Sequence, residues 1–368
     1  MTQQELTHNA IELLKNLIAT PSFSTEEHKT AEHIEDWFKT QNIPFQRENN
    51  NIWAFNKHFQ EGKPLLLLNS HHDTVKPNAA YTRDPFYPHI EDGKLYGLGS
   101  NDAGGCLTSL IATFTHFYDR TDLKYNLVIV ASAEEENSGP NGLNSVLKRL
   151  PEIDVAIVGE PTLMNLAVAE KGLVVFDAKV TGTPGHAAHP NDDNCIYKSI
   201  EVLEWFRDFK FEKVSEFLGE VKVTVTQINA GTQHNVVPSE LNLVVDVRVN
   251  DKYTNAEVAE IFEKNAPCEI KPRSLRLNSS SIPIEHELVQ AGIALGRKTY
   301  ASPTMSDQAV LTCQSLKLGP GDSTRSHSAN EFIYLNEIEE GIDLYIKLLE
   351  KVVGKVEVRS GKKYESRK

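Results

Sequence analysis

Cysteine is scarce in this chain: Cys106, Cys195, Cys268 and Cys313 are the only four in 368 residues, with no Cys-x-x-Cys pair. That spacing excludes a disulfide framework and a thiolate zinc site, and it fits reduced thiols in a cytoplasmic protein. Long apolar runs are missing too. Leu65–Leu68 and Leu127–Ala131 are typical, far below the roughly 18 residues a membrane-spanning helix needs, so no membrane partner is expected. Met1–Glu5 is polar and runs into an amphipathic pattern, unlike the apolar block of a secretory signal, so export is not expected either. Basic residues are outnumbered, 38 Lys and Arg against 51 Asp and Glu, for a net charge of −13. A basic stripe is absent before Val356–Lys368, which carries five basic and two acidic residues and reads as a frayed, disordered tail. Nucleic acid is therefore a poor partner, and a cation a better one.

What is present describes a folded α/β protein. Leu6, Ala10, Leu13, Leu14, Leu17 and Ile18 repeat at helical spacing, and Pro21 stops that helix. Ser24 followed by Glu27 predicts a capping box for a second helix that carries Ala31, Ile34 and Phe38 inward. Continuous apolar runs at 64–68, 127–131 and 155–158 read as strands buried on both faces, alternating with helical stretches at 103–118 and 143–150. Such alternation predicts a mostly parallel sheet flanked by helices. After Gly172 the pattern changes: 174–180, 221–228 and 241–249 alternate apolar and polar residues around helical stretches at 194–209 and 255–264. The simplest architecture is a sheet domain (1–170 and 282–355) interrupted by a smaller α+β domain at 171–281.

Potential metal ligands follow the buried strands. PLLLL leads into His71-His72-Asp73, LVIVASA into Glu134-Glu135-Glu136, and VAIVG into Glu160, while Asp102 follows the glycine-rich LYGLGSN. Each has an ordinary reading: a chance His-x-Asp, a solvated run of glutamates, a helix cap at Asp102, a loop carboxylate before Pro161. Position raises the joint case. The ligand site of an open parallel sheet lies beyond the carboxyl ends of its strands, and acidic groups gathered there repel one another without cations. Gly97, Gly99, Gly104 and Gly105 fit no nucleotide fingerprint and are read as tight turning around Asp102.

Together SHHDTVKP, LYGLGSNDAGG, SAEEENSG, VGEPT and RSHSANEF resemble, in order and spacing, the five metal-site motifs of the acetylornithine deacetylase and succinyl-diaminopimelate desuccinylase family of dinuclear zinc amidohydrolases. The resemblance extends to about Lys355, and VGEPT, GSNDAGG and GPG look closest to the acetylornithine deacetylase branch. It implies His71 and Glu160 as ligands of one metal, Glu136 and His327 as ligands of the other, and Asp102 as the bridge. Two Zn2+ per chain are implied, with Co2+ or Mn2+ as substitutes. Glu135 matches the general base and Asp73 the acid that orients the His71 imidazole. His72 is expected to lie at the surface or just behind the ligands without binding metal, and Glu134 to support its loop without touching metal.

The resemblance also makes the insert a lid and dimerisation domain of a homodimer. In TGTPGHAAHP, His186 matches the histidine that reaches the partner subunit's site and stabilises the oxyanion, with His189 as competitor. Asn235 and Arg248 match substrate-contacting positions, although Arg248 on an alternating strand could equally face solvent. Arg276 is either a second carboxylate contact or a hinge arginine. The implied reaction is hydrolysis of an Nα-acyl amino acid, N-acetylornithine first, with N-succinylornithine or an acyl-citrulline beside it, in arginine biosynthesis. The alternatives are a metallopeptidase or aminoacylase, succinyl-diaminopimelate desuccinylase, and, remotely, a binding protein on the same fold.

Overall fold

The computed structural model describes residues 1–354; the tail expected over 356–368 lies outside the described residues. Its larger sheet runs in the order Gln46–Glu48, Asn51–Phe55, Asn126–Ser132, Leu65–His71, Val155–Val158, Gln314–Lys317, Leu166–Glu170, Ser280–Ser281, with Thr299–Ser302 also paired to Leu166–Glu170. The centre is parallel, from Asn126–Ser132 through Leu65–His71 and Val155–Val158 to Gln314–Lys317, and the flanking strands pair largely antiparallel.

Every residue of Leu65–His71 and Asn126–Ser132 is buried, because the strands' apolar runs feed two cores at once. Leu66, Leu68, Leu127 and Ile129 pack with the helices His28–Thr40, Gly105–Phe117 and Leu335–Val353. Leu65, Leu67, Val128 and Val130 pack on the other face beneath Leu143 and Val146. Truncating one such leucine to alanine costs about 2–5 kcal/mol, so the sheet is a stiff platform for whatever leaves its strand ends.

The chain departs at Gly172 into a second sheet, ordered Lys222–Ala230, Glu240–Val249, Gly172–Thr181, Glu269–Pro272 and antiparallel throughout. Its alternating residues Val174, Phe176, Ala178, Leu243, Val245 and Val247 bury one face under the helices Cys195–Asp208 and Asn255–Asn265, through Val202, Phe206, Val258 and Phe262. Ser280 and Ser281 return the chain to the larger sheet by pairing with Glu170 and Ala169.

Two local expectations are corrected. Ser24 caps no helix: the second helix starts at His28, Glu27 at its N-cap makes no side-chain cap, and Ser24 Oγ donates instead to Asp73 Oδ2 at 2.7 Å. Glu27 is drawn inward to accept from the Thr25, Asn50 and Glu134 nitrogens, a stronger set of partners than one exposed cap. Likewise the helix expected from Ala103 begins at Gly105, since Asp102 and Ala103 keep non-helical backbone angles.

Candidate metal centre

Six potential donors converge beyond the strand ends. His71 is the last residue of its strand, and its Nε2 lies 3.4 Å from Asp102 Oδ1, 3.8 Å from Glu160 Oε1 and 3.9 Å from Glu135 Oε2. On the far side of Asp102, Oδ2 is 3.7 Å from His327 Nε2, which lies 3.0 Å from Glu136 Oε2. Asp102 thus presents one oxygen to the His71 and Glu160 side and the other to the His327 and Glu136 side. Ligand atoms of His71, Asp102 and Glu136 all fall within 4.8 Å of one another.

The imidazole of His71 is prepared for a cation. Its Nδ1 faces the Asp73 carbonyl oxygen at 3.0 Å and Asp73 Oδ1 at 3.3 Å, so Nδ1 carries the proton and Nε2 offers its lone pair to the cluster. Asp73 does more than orient one ring. Its two oxygens accept from the backbone N–H groups of Glu135 and Glu136, each at 3.1 Å, locking the strand end that carries His71 to the loop that carries those two glutamates.

Electrostatics argue for the same occupant. Burial pushes the Glu160 carboxyl up to about 8 and the Glu135 carboxyl well above the usual range, with neighbouring carboxylates adding to both. His327 is held up at about 9, chiefly by its hydrogen bond to Glu136. Burial opposes the charged form of His71, yet Asp102 and Asp73 raise its pKa well above the ordinary value. Left to itself the cluster collects protons; divalent cations compete with them for the same carboxylate oxygens and imidazole nitrogens. A donor set of imidazoles and carboxylates without thiolate fits the metals implied by the sequence.

The glycine-rich turn positions Asp102. Gly99 stands at φ +76°, and a Cβ there would meet the Thr74 side chain at 2.6 Å, so both backbone and space demand glycine. Glu331 fixes this turn from across the chain: its buried carboxylate accepts from the N–H groups of Gly99 (3.2 Å), Asn101 (2.8 Å) and Asp102 (2.9 Å). Burial pushes that carboxyl up to about 8. Sequence reasoning quoted Glu331 within RSHSANEF without assigning it a role. Asp307, which accepts from Ser132 Oγ and is pushed up to about 6 by burial, was missed altogether. No local pattern marks either residue, because both act on segments far away in sequence.

His72 is not a surface histidine. It is buried between Thr30 Oγ1 (2.8 Å) and the Asn50 carbonyl (2.9 Å), and burial lowers its pKa to about 4. Glu134 faces away from the ligands and braces its own loop through the Asn141 backbone and side-chain nitrogens.

The insert's residues stand apart from this cluster. His186 and His189 are exposed, and neither lines the cavity of ≈ 320 Å³ bounded by Asp102, Glu135, Glu136, Glu160 and His327. Asn235 is exposed beside them, its carbonyl accepting from Ala187 N–H. Arg248 spends its guanidinium on Asp246, at 2.9 and 3.1 Å. Arg276 donates to the Gly139 carbonyl at 3.2 Å, joining the insert to the loop that follows Glu136.

Known proteins share this arrangement of chain. The sequence model of peptidase family M20/M25/M40 matches residues 67–351. Acetylornithine deacetylase of Proteus mirabilis (strain HI4320) is 29% identical over 92% of this chain and 96% of its own. Succinyl-diaminopimelate desuccinylase of Helicobacter pylori (strain Shi470) is 28% identical over 94% and 97%. Among solved structures, the Bacillus subtilis YxeP protein, a dinuclear metal-binding peptidase of the M20 family, superposes with a TM-score of 0.73 at 17% identity, covering 94% of this chain and 98% of its own. The aminopeptidase PepT of Bacillus cereus gives 0.72 at 16%, covering 95% and 99%.

Proposed function

Since this chain belongs to peptidase family M20/M25/M40, and so is an enzyme acting on amide bonds, we propose that it hydrolyses the Nα-acyl amide of an amino acid, N-acetylornithine first among candidates, within arginine biosynthesis. The observation that carries this reading is Asp102, with one carboxylate oxygen facing His71 and the other facing His327, beside the Glu135 carboxylate 3.9 Å from His71 Nε2. Near-full-length similarity to an acetylornithine deacetylase supports the acetyl group and ornithine. Nearly equal similarity to a desuccinylase favours a second reading, in which the acyl group is succinyl and the amino acid ornithine, citrulline or diaminopimelate.

His71, Glu160 and Asp102 would hold one zinc ion, and Asp102, Glu136 and His327 the other. When bound, such a pair supplies Lewis acidity that acidifies water and polarises an amide carbonyl. The chain's own residues do the rest. Asp73 keeps the proton on His71 Nδ1. Glu135 accepts a proton from water on a carboxylate oxygen and returns it to the departing amine nitrogen. His186 is poised as a donor, because its Nδ1 accepts from Ala188 N–H at 3.1 Å and leaves the proton on Nε2. Arg248 and Asn235 belong to the substrate side once the insert meets it.

The functional unit is a homodimer in the cytoplasm under this reading. Supporting the dimer, Lys222–Ala230 is an edge strand with an exposed outer half, and Ile196, Tyr197 and Ile200 project from the neighbouring helix. The four free cysteines support a reducing compartment. Steady-state rates on acetyl and succinyl derivatives of ornithine, citrulline and diaminopimelate, alongside dipeptides, test the assignment with zinc-loaded enzyme. The highest kcat/KM is expected on an Nα-acyl amino acid; a tenfold preference for dipeptides would replace this reading with a peptidase.

A further inference from the structure

One wall of the cavity rests on an ion pair that the proposed chemistry does not use. Lys317 and Glu170 end two strands that are neighbours in the larger sheet. Their Nζ and Oε2 atoms are 2.7 Å apart, with side chains only 3% and 0% exposed. A buried pair is costly unless its remaining hydrogen-bonding capacity is filled, and here it is filled by one short segment. Lys317 Nζ donates to the Thr304 carbonyl at 2.8 Å and to Ser302 Oγ at 3.2 Å. Glu170 accepts from Ser306 Oγ at 2.9 Å and Ser306 N–H at 3.3 Å. An ammonium has three protons, and Glu170, Thr304 and Ser302 engage them, so Lys317, although it borders the cavity, is held by the wall.

That segment matters because of where it leads. Residues 302–305 leave the strand Thr299–Ser302 and line the same cavity as Glu135 and Glu160. Pro303 lacks an amide proton and cannot donate a ladder hydrogen bond, which leaves more of this wall's shape to its anchors.

We propose that the Lys317–Glu170 pair is a positioning device: it fixes the 302–306 wall, and the wall sets the bulk of the substrate group admitted beside Glu160. Lys317 acts through the wall and does not touch substrate. The inference rests on the reading of the cavity as the site of amide hydrolysis, and the test separates the two.

Three variants are compared with wild type in the zinc-loaded enzyme. Lys317→Met breaks the pair, Lys317→Met/Glu170→Leu replaces both charges with apolar groups, and Ser302→Ala loosens the wall while leaving the pair intact should the other two fail to fold. The substrates are acetyl-, propionyl- and butyryl-ornithine, acetylcitrulline, succinylornithine and a dipeptide series of increasing side-chain size. Zinc content and Tm are measured in parallel. The expected result is full zinc content with a fivefold or larger change in the kcat/KM ratio between small and large substrates, arising mainly in KM. The double variant should regain Tm over Lys317→Met yet keep the altered ratio, and Ser302→Ala should shift it in the same direction by less. Ratios within twofold of wild type in every variant that folds would reduce the pair to a fold-stabilising contact, and a loss confined to the anionic succinyl substrate would make Lys317 a direct ligand; either overturns the proposal. A wild-type preference for dipeptides overturns the deacylase reading alone, since selectivity is still read from the dipeptide series.

Discussion

At the residue scale two carboxylates outside the proposed ligand set, Glu135 and Asp307, make opposite predictions. Glu135 lies 3.9 Å from His71 Nε2, about as near as Glu160 at 3.8 Å, and is the proposed base beside the ligands. Glu135→Gln removes a proton acceptor and should retain both metals while kcat falls by about 10²–10⁴-fold; near-normal turnover with full metal content would remove the general-base role. Asp307 tests burial instead. Its carboxyl is pushed from 3.8 up to about 6, so between those values the folded chain holds a proton that the unfolded chain has lost. Stability therefore falls as pH rises from 3.8 through 6 and stays lowered above it, by up to about 3 kcal/mol. In metal-free protein, Asp307→Asn should raise stability at pH 7, with the gain disappearing toward pH 4. Urea unfolding at both pH values checks this, and a gain independent of pH would show that ionisation is not its source.

At the scale of elements, the strands were legible because burial on two faces and burial on one face write different patterns. Leu65–Leu68 and Val155–Val158 are uninterrupted, whereas Gly172–Thr181 alternates, and the sequence separates the two sheets on that basis. The convergence of the candidate ligands at the strand ends was legible for the same reason, since a residue that follows a buried strand has one place to go. What holds those ligands was not. Glu331 reaches back some 230 positions to three amides of the Asp102 turn, and Ser24 crosses 49 to reach Asp73. A side chain's long-range partner leaves no periodicity, which is also why Ser24 and Glu27 resemble a cap in sequence and serve the site in the fold. The role of Glu331 is testable. Glu331→Ala strands three buried N–H groups and frees the turn, and should weaken metal binding about 10–100-fold, measured by titration of the metal-free protein. Glu331→Gln, which keeps an acceptor, should fall between it and wild type. Equal affinities in all three would leave the turn positioned by its glycines alone.

At the scale of the whole molecule, the metal cluster and the insert pose a question of completeness. The proposed cation ligands and base all come from the larger sheet and its loops, while the insert's imidazole, His186, lies exposed on the ribbon formed by Gly185–His186 and Val236–Val237. Hydrogen-bond donors aimed at developing negative charge commonly contribute a few kcal/mol to catalysis, and this donor's contacts within the chain are to Ala188 and His189 rather than to the cluster. If the dimer supplies it, each site takes its base from one subunit and its imidazole from the other. His186→Ala and Glu135→Gln are then each nearly inactive as homodimers, but a heterodimer of the two rebuilds one site with both groups intact. Random reassociation of equal amounts should recover about a quarter of wild-type activity under two-fold symmetry. A site contained within one chain gives only the average of the two parents, however the subunits are mixed, and that outcome would return His186 to a lid that closes over its own cluster.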